Sequence, residues 1–286
     1  MKSIKYFIQF VIISFLFLIF KFLGLSFSSY LSGKIISFIG PLFRSKNLIK
    51  SNILKAFPNL PQHKVNKITK KMWNNYGRIL AEYIFIKDFR ISKFENNIEV
   101  EGQYILDKIK KDNESVIFVS GHFNNFELMA MQIEKSGINL AAVYRPLNNK
   151  FLNSIMESIR KKYICKNQIK KGISGTRLLL SFFKKKTSIA LMIDQRVSEG
   201  IPCKFFNEEA LTTTIPAQFV KKFNIEVIPV HVERFNGNSF TVEFSNPLKF
   251  SNNESIHDIT FQLNKVLEKM ILKNPDQWIW THNRWK

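Results

Sequence analysis

His122 and Glu127 stand in an H-x4-E spacing within the run Gly121-His122-Phe123-Asn124-Asn125-Phe126-Glu127, which offers an imidazole and a carboxylate from one tight loop. A neutral imidazole, with an ordinary pKa of about 6.5, can take a hydroxyl proton at neutral pH, and a neighbouring carboxylate can fix its tautomer and stabilise the imidazolium. Such a pair makes an alcohol nucleophilic. The same residues also read as helix-start chemistry. Asn124 and Asn125 are good N-caps, Glu127 fits an Asn124-x-x-Glu127 capping box, and His122 is then a loop histidine bonded to backbone. Two other segments end in groups that a site needs. In Val143-Tyr144-Arg145-Pro146, the proline holds Arg145 extended, so its guanidinium can bind phosphate or carboxylate bidentately or remain solvated. In Ile193-Asp194-Gln195-Arg196, Asp194 can orient a basic partner or cap the next loop.

The apolar patterning predicts the elements that position these groups. Residues 116–119 are unbroken β-branched or aromatic, as in a strand buried on both faces, and Gly121 supplies the turn. His122 therefore falls at the carboxyl end of a strand, where open α/β sheets place their sites. Phe126, Leu128, Met129, Gln132 and Ile133 follow at helical spacing. Strand-like runs at 98–102, 116–120, 140–144, 188–193, 226–232 and 239–244 alternate with helical ones. That alternation predicts an α/β fold with a mostly parallel central sheet flanked by helices, and with 239–244 as an antiparallel edge. Residues 47–86 read as helical, broken by Pro58 and Pro61. Phe205-Phe206 reads as an apolar loop that leads, through a hydroxyl N-cap among Thr212 to Thr214, into a helix with Pro216 near its start.

The amino terminus is apolar from 6 to 20, interrupted by Gln9 and Ser14, and again from 22 to 31 past Lys21. It predicts a membrane-anchoring helix over 1–31, spanning or lying in the interface, followed by one catalytic domain over 32–286. The signal-peptide alternative lacks a small-x-small cleavage site. Lys34, Arg44, Lys46 and Lys50 outnumber Lys2 and Lys5, which places the bulk of the chain on the cytoplasmic side. Across 286 residues, 43 Lys and Arg face 22 Asp and Glu, a net charge of +21 that calls for an anionic partner: nucleic acid, a lipid leaflet or an acidic protein. The runs Lys161-Lys162, Lys170-Lys171 and Lys184-Lys185-Lys186 are solvated faces or add attraction to anionic lipid. Cys165 and Cys203 form no C-x-x-C pair, so neither a disulfide framework nor a zinc site is indicated. No serine-hydrolase elbow, H-E-x-x-H or phosphate loop is present, nor an aromatic-lysine pattern of RNA binders.

Taken together, the blocks 121–127, 143–149, Asp194-Gln195, 205–217 and the carboxyl-terminal Pro275-Asp276-Gln277-Trp278-Ile279-Trp280-Thr281-His282-Asn283-Arg284-Trp285-Lys286 give the chain its resemblance to the lipid A biosynthesis lauroyl/myristoyl acyltransferase family. The resemblance implies a bacterial inner-membrane enzyme with its catalytic domain on the cytoplasmic side and a His122/Glu127 dyad. It implies Asn125, Arg145, Asp194 and Gln195 as substrate-binding residues. It further implies direct acyl transfer from an acyl carrier protein thioester to a hydroxyl of a lipid A precursor, with no cofactor or metal and no nucleic-acid partner. A relative acting on another glycolipid or phospholipid, which incubation with alternative acceptors separates, and a non-enzymatic basic membrane protein that binds nucleic acid or lipid through its lysine runs are the alternatives.

Overall fold

Ile117 and Val119 face one side of their strand and Phe118 the other, and all three are fully buried. A strand with two buried faces needs a layer of helices on each, and the computed structural model, which describes residues 2–286, has that arrangement. The strands are β1 (Ile98–Glu101), β2 (Ile117–Ser120), β3 (Leu140–Tyr144), β4 (Asn167–Lys170), β5 (Ser188–Met192), β6 (Ile201–Phe205), β7 (Glu208–Thr212), β8 (Val227–Asn236) and β9 (Ser239–Phe244). Seven of them form one sheet in the order β1-β9-β8-β2-β5-β3-β4, and β6 and β7 form a separate hairpin. The run β8-β2-β5-β3-β4 is parallel throughout.

The helices are α1 (Lys2–Leu23), α2 (Leu25–Ile39), α3 (Lys46–Ala56), α4 (Gln62–Glu82), α5 (Ile86–Ile91), α6 (Gln103–Asp112), α7 (Glu127–Lys135), α8 (Lys150–Tyr163), α9 (Ile173–Lys184), α10 (Ile215–Phe223) and α11 (Ile256–Lys273). One core, on the Ile117 and Val119 face, takes Ile49 and Ile53 of α3, Met72 and Trp73 of α4, Phe219 of α10 and Leu263 and Ile271 of α11. The other, on the Phe118 face, takes Phe89 of α5, Leu106 of α6 and Leu128 and Met131 of α7.

Three expectations change. Residues 239–244 are not the edge: β9 pairs antiparallel with β8 and parallel with β1, so β1 is the edge strand and both run against the other five. Phe205 is the end of a strand rather than loop, because Phe206 and Asn207 both adopt positive φ (50° and 64°) and close a two-residue hairpin between β6 and β7. The boundary drawn at residue 31 falls inside α2, which is built into the folded body. Its Leu25, Ser28, Ser29 and Ser32 are buried, Ser32 Oγ donates to Gly77 O (2.6 Å), and a Cβ on Gly77 would lie 2.2 Å from Ser32 O. Only glycine lets α2 and α4 cross so closely. The apolar helix proper is α1, about 33 Å long at 1.5 Å per residue, long and apolar enough to cross a bilayer, with Phe20 its one buried residue.

Candidate active site

Register brings the site together. β5 is inserted between β2 and β3, with Ser120 opposite Met192, and Ile193 N donates to Ser120 O (2.9 Å). Two residues beyond that level on each strand stand His122 and Asp194, at the same carboxyl edge of the sheet. Asp194 Oδ1 lies 2.8 Å from His122 Nδ1, and its Oδ2 accepts from His122 N (2.7 Å) and from Trp278 Nε1 (2.8 Å). Gly121 permits the approach, since a Cβ there would meet the Phe123 ring at 2.8 Å and Asp194 Oδ2 at 3.3 Å. The carboxylate that holds the imidazole is thus Asp194.

Glu127 is placed differently from its expected position against His122. It accepts from Arg160 Nε of α8 (2.7 Å) and from the same guanidinium's NH2, and the pair is buried. No capping box forms at the start of α7, because Asn124 adopts φ +45° and its amide turns away to Val232 O (3.0 Å) and to Gln277. Arg160 stacks over Tyr144 at 5.5 Å, and Tyr144 in turn donates to Glu157. Sequence reasoning missed Arg160, which sits just before Lys161-Lys162 and passes for part of a solvated charge run.

His122 and Glu127 open on one cleft of about 640 Å³. Arg145 at the end of β3 and Gln195 after β5 line it too, as does Lys171 from a run that reads as solvated, while Met129, Ala142, Ala190 and Leu191 supply apolar walls. Arg145 is exposed, and among the described residues it has no carboxylate partner. Asn125 does not line the cleft; it is buried, and neither of its amide atoms has a hydrogen-bond partner. No hydrogen bond engages His122 Nε2 among the described residues, so this nitrogen is free to act on whatever enters.

The electrostatics follow from the contacts. Burial and, least strongly, the Arg160 charge favour neutral imidazole, but the Asp194 charge, its hydrogen bond to Nδ1 and then the Glu127 charge outweigh them and raise the His122 pKa above 6.5. Burial likewise opposes ionised Asp194, yet His122 and the donors on its oxygens hold it down at about 2. At neutral pH Asp194 is ionised, and an imidazole that takes up a proton at Nε2 is stabilised by it.

Trp278 belongs to the carboxyl-terminal segment, which is strapped over the fold. Asn52 of α3 donates to Trp280 O (2.9 Å) and His282 O (2.8 Å), and the buried Arg284 donates to Leu211 O (2.8 Å) and Thr212 Oγ1 (2.7 Å). At the other end, Asn149 caps α8 through Phe151 N (3.1 Å) and Leu152 N (3.3 Å), and its Nδ2 donates to Tyr6 O (2.8 Å), fastening α1 beside the site.

Residues 1–286 match the family model described as "Bacterial lipid A biosynthesis acyltransferase". Among curated proteins, the chain is 25% identical over 253 residues to a lipid A biosynthesis acyltransferase of Haemophilus influenzae, covering 85% of this chain and 78% of that protein. It is 24% identical over 256 residues to the lipid A biosynthesis palmitoleoyltransferase of Escherichia coli (86% and 80%) and 25% identical over 258 residues to the lauroyltransferase of the same organism (85% and 79%). Among solved structures, the 1-acyl-sn-glycerophosphate acyltransferase of Thermotoga maritima aligns over 89% of this chain and 98% of that one, with 12% identity and a TM-score of 0.42.

Proposed function

Because the chain belongs to the bacterial lipid A biosynthesis acyltransferase family, we propose that it moves a fatty acyl chain from the thioester of an acyl carrier protein to a hydroxyl of a lipid A precursor. The observation that carries this reading is a histidine whose Nδ1 is held by a buried carboxylate and which faces, with a basic rim, a cleft with apolar walls. His122 Nε2 takes the acceptor hydroxyl proton as the oxygen attacks the thioester carbonyl. The tetrahedral intermediate collapses, the carbon–sulfur bond breaks, and the thiolate receives the proton from Nε2. Asp194 keeps the neutral imidazole in the Nδ1–H tautomer and stabilises the imidazolium between the two transfers, as the carboxylate of a serine-protease triad does. Glu127, held by Arg160, adds a second negative charge near the ring. Arg145 and Lys171 suit the phosphates of the acceptor or of the donor's phosphopantetheine arm.

The direct test supplies purified full-length protein in neutral micelles with acyl carrier protein thioester and a lipid A precursor. The product should gain the mass of one ester-linked acyl chain. Equal or better transfer to a lysophospholipid or an unrelated glycolipid would make that lipid the acceptor.

A base must be neutral, so the rate should rise with pH through an apparent pKa above 6.5, read from initial rates across the neutral range. The sign for stability is opposite. A raised histidine pKa favours the fold while the ring is protonated, fully so below its unfolded value, and that contribution fades as pH climbs through the folded value.

We further infer that the domain works at the cytoplasmic face of the inner membrane, held by α1. Ile4, Phe7, Ile8, Val11, Phe15, Leu18 and Phe22 of that helix are exposed, a surface that water does not favour. Removing residues 2–23, and no more, should leave a folded protein that sediments with membranes far less than the full chain. A cut at residue 31 should instead unfold it, since the first half of α2, with the buried Leu25, Ser28 and Ser29, goes too. Unchanged sedimentation and activity on bilayer-embedded acceptor after the shorter deletion would reject the anchor.

A further inference from the structure

A second cavity, of about 390 Å³, lies between α2, α4 and the Pro275–Gln277 turn and reaches the catalytic loop only at Asn124. Its lining is strongly basic: Lys34, Lys70, Lys71, Arg78 and Arg234, against the single acid Asp276. Lys71 is neutralised by Asp276 (2.7 Å). Arg234 is neutralised from behind by the buried Glu82, at 2.6 and 2.9 Å, and the Ser29 hydroxyl donates to the same carboxylate (2.8 Å). Lys34, Lys70 and Arg78 are left over. Among the described residues none of them has a carboxylate within 4 Å. Arg78 makes only neutral contacts, Nε to Asn74 Oδ1 (3.0 Å) and NH1 to Ser29 Oγ (3.2 Å), and its NH2 is unused.

Like charges gathered around one cavity repel, and a bound anion relieves the arrangement. A half-buried guanidinium with two lysines around it matches the oxygens of a phosphate. The source of that phosphate is indicated by α2 itself. Tyr30, Lys34 and Ser37 line the cavity from one side of the helix, while Phe27 and Phe38 of the same helix are exposed, Phe38 at 83%, and Leu42 and Phe43 continue the apolar surface. Aromatic and aliphatic side chains beside lysines are what a protein presents at the headgroup level of a bilayer.

We propose that this cavity binds the phosphate of an anionic phospholipid headgroup. The site is separate from the cleft, and the proposal does not depend on the reaction assigned there. The close crossing of α2 and α4 fixes one wall of the recess: a Cβ on Gly77 would lie 2.2 Å from Ser32 O.

Native mass spectrometry of the full chain released from neutral detergent micelles tests it. Micelles doped with phosphatidylglycerol should leave one lipid bound to the wild type, and micelles doped with phosphatidylcholine should leave far less. Lys34→Ser/Lys70→Ser, two exposed positions whose loss leaves the cores intact, should cut the retained phosphatidylglycerol about tenfold or more, since charge-assisted hydrogen bonds are lost. Lys161→Ser/Lys162→Ser removes the same charge elsewhere and should retain it. Millimolar inorganic phosphate should compete. Equal retention in the two double variants, or equal retention of the zwitterionic lipid, overturns the site. Phosphate bound by the wild type and lost in Lys34→Ser/Lys70→Ser, with no lipid retained, overturns the membrane as its source.

Discussion

Asp194→Asn is expected to lower acyl transfer by about three to four powers of ten in a protein that still folds, the effect of neutralising the carboxylate of a hydrogen-bonded triad. The geometry says why so small a change is so costly. Oδ2 already accepts from His122 N and Trp278 Nε1, so the asparagine oxygen keeps that position and both bonds. Its NH2 group then replaces Oδ1 opposite His122 Nδ1. An NH2 can only donate there, so Nδ1 becomes the acceptor and the ring proton moves to Nε2. The nitrogen facing the cleft can no longer take a proton, and the negative charge that stabilised the imidazolium is gone. The acid limb of the pH profile should also fall, because Asp194 is the main influence that raises the His122 pKa. Turnover and thermal unfolding on one preparation decide the matter. A rate within tenfold of wild type would remove Asp194 from the mechanism.

Glu127→Gln should damage both rate and stability. Glutamine still accepts a hydrogen bond, but the Arg160 guanidinium is left buried beside a neutral group, and breaking a buried pair from one side costs about 3–5 kcal/mol. For a domain of this size that is a fall in Tm of roughly 10 °C. Transfer should fall about a hundredfold, because the second charge near the imidazolium is lost. Glu127→Leu/Arg160→Met separates the two roles. Replacing a buried ion pair as a unit often restores stability, so the double variant should recover Tm while its rate stays well below wild type. Recovery of the rate together with Tm would make Glu127 a structural residue only.

The parts of this site that were legible in the sequence are those written in one strand and the loop that follows it. The apolar run ending at Gly121-His122 located the imidazole, and the ends of β3 and β5 located Arg145, Asp194 and Gln195. What could not be read was which carboxylate meets which cation. H-x4-E proximity along the chain favoured Glu127 as the partner of His122, whereas the pairing is decided by β5 lying between β2 and β3, a property of strand order. Arg160, and the contact of Trp278 with Asp194, escaped for the same reason, since each reaches the site from an element remote in sequence. The β6–β7 hairpin was hidden because Phe206-Asn207 takes the positive φ values that Asn-Gly usually advertises. The 1–31 boundary failed because apolar composition does not distinguish a helix facing lipid from one facing α4.

The late insertion of β5 also has a kinetic meaning. Asp194 meets His122 across 72 residues and Trp278 across 84, so the reactive array closes two long loops that the chain must search for, and such contacts form slowly. During synthesis the histidine leaves the ribosome 72 residues before the carboxylate that orients it, and the tryptophan that braces that carboxylate follows another 84 residues later. A nascent or half-folded molecule therefore carries an imidazole with no fixed tautomer and no assembled cleft. The paired imidazole is complete only once the sheet is formed and the carboxyl-terminal segment has docked.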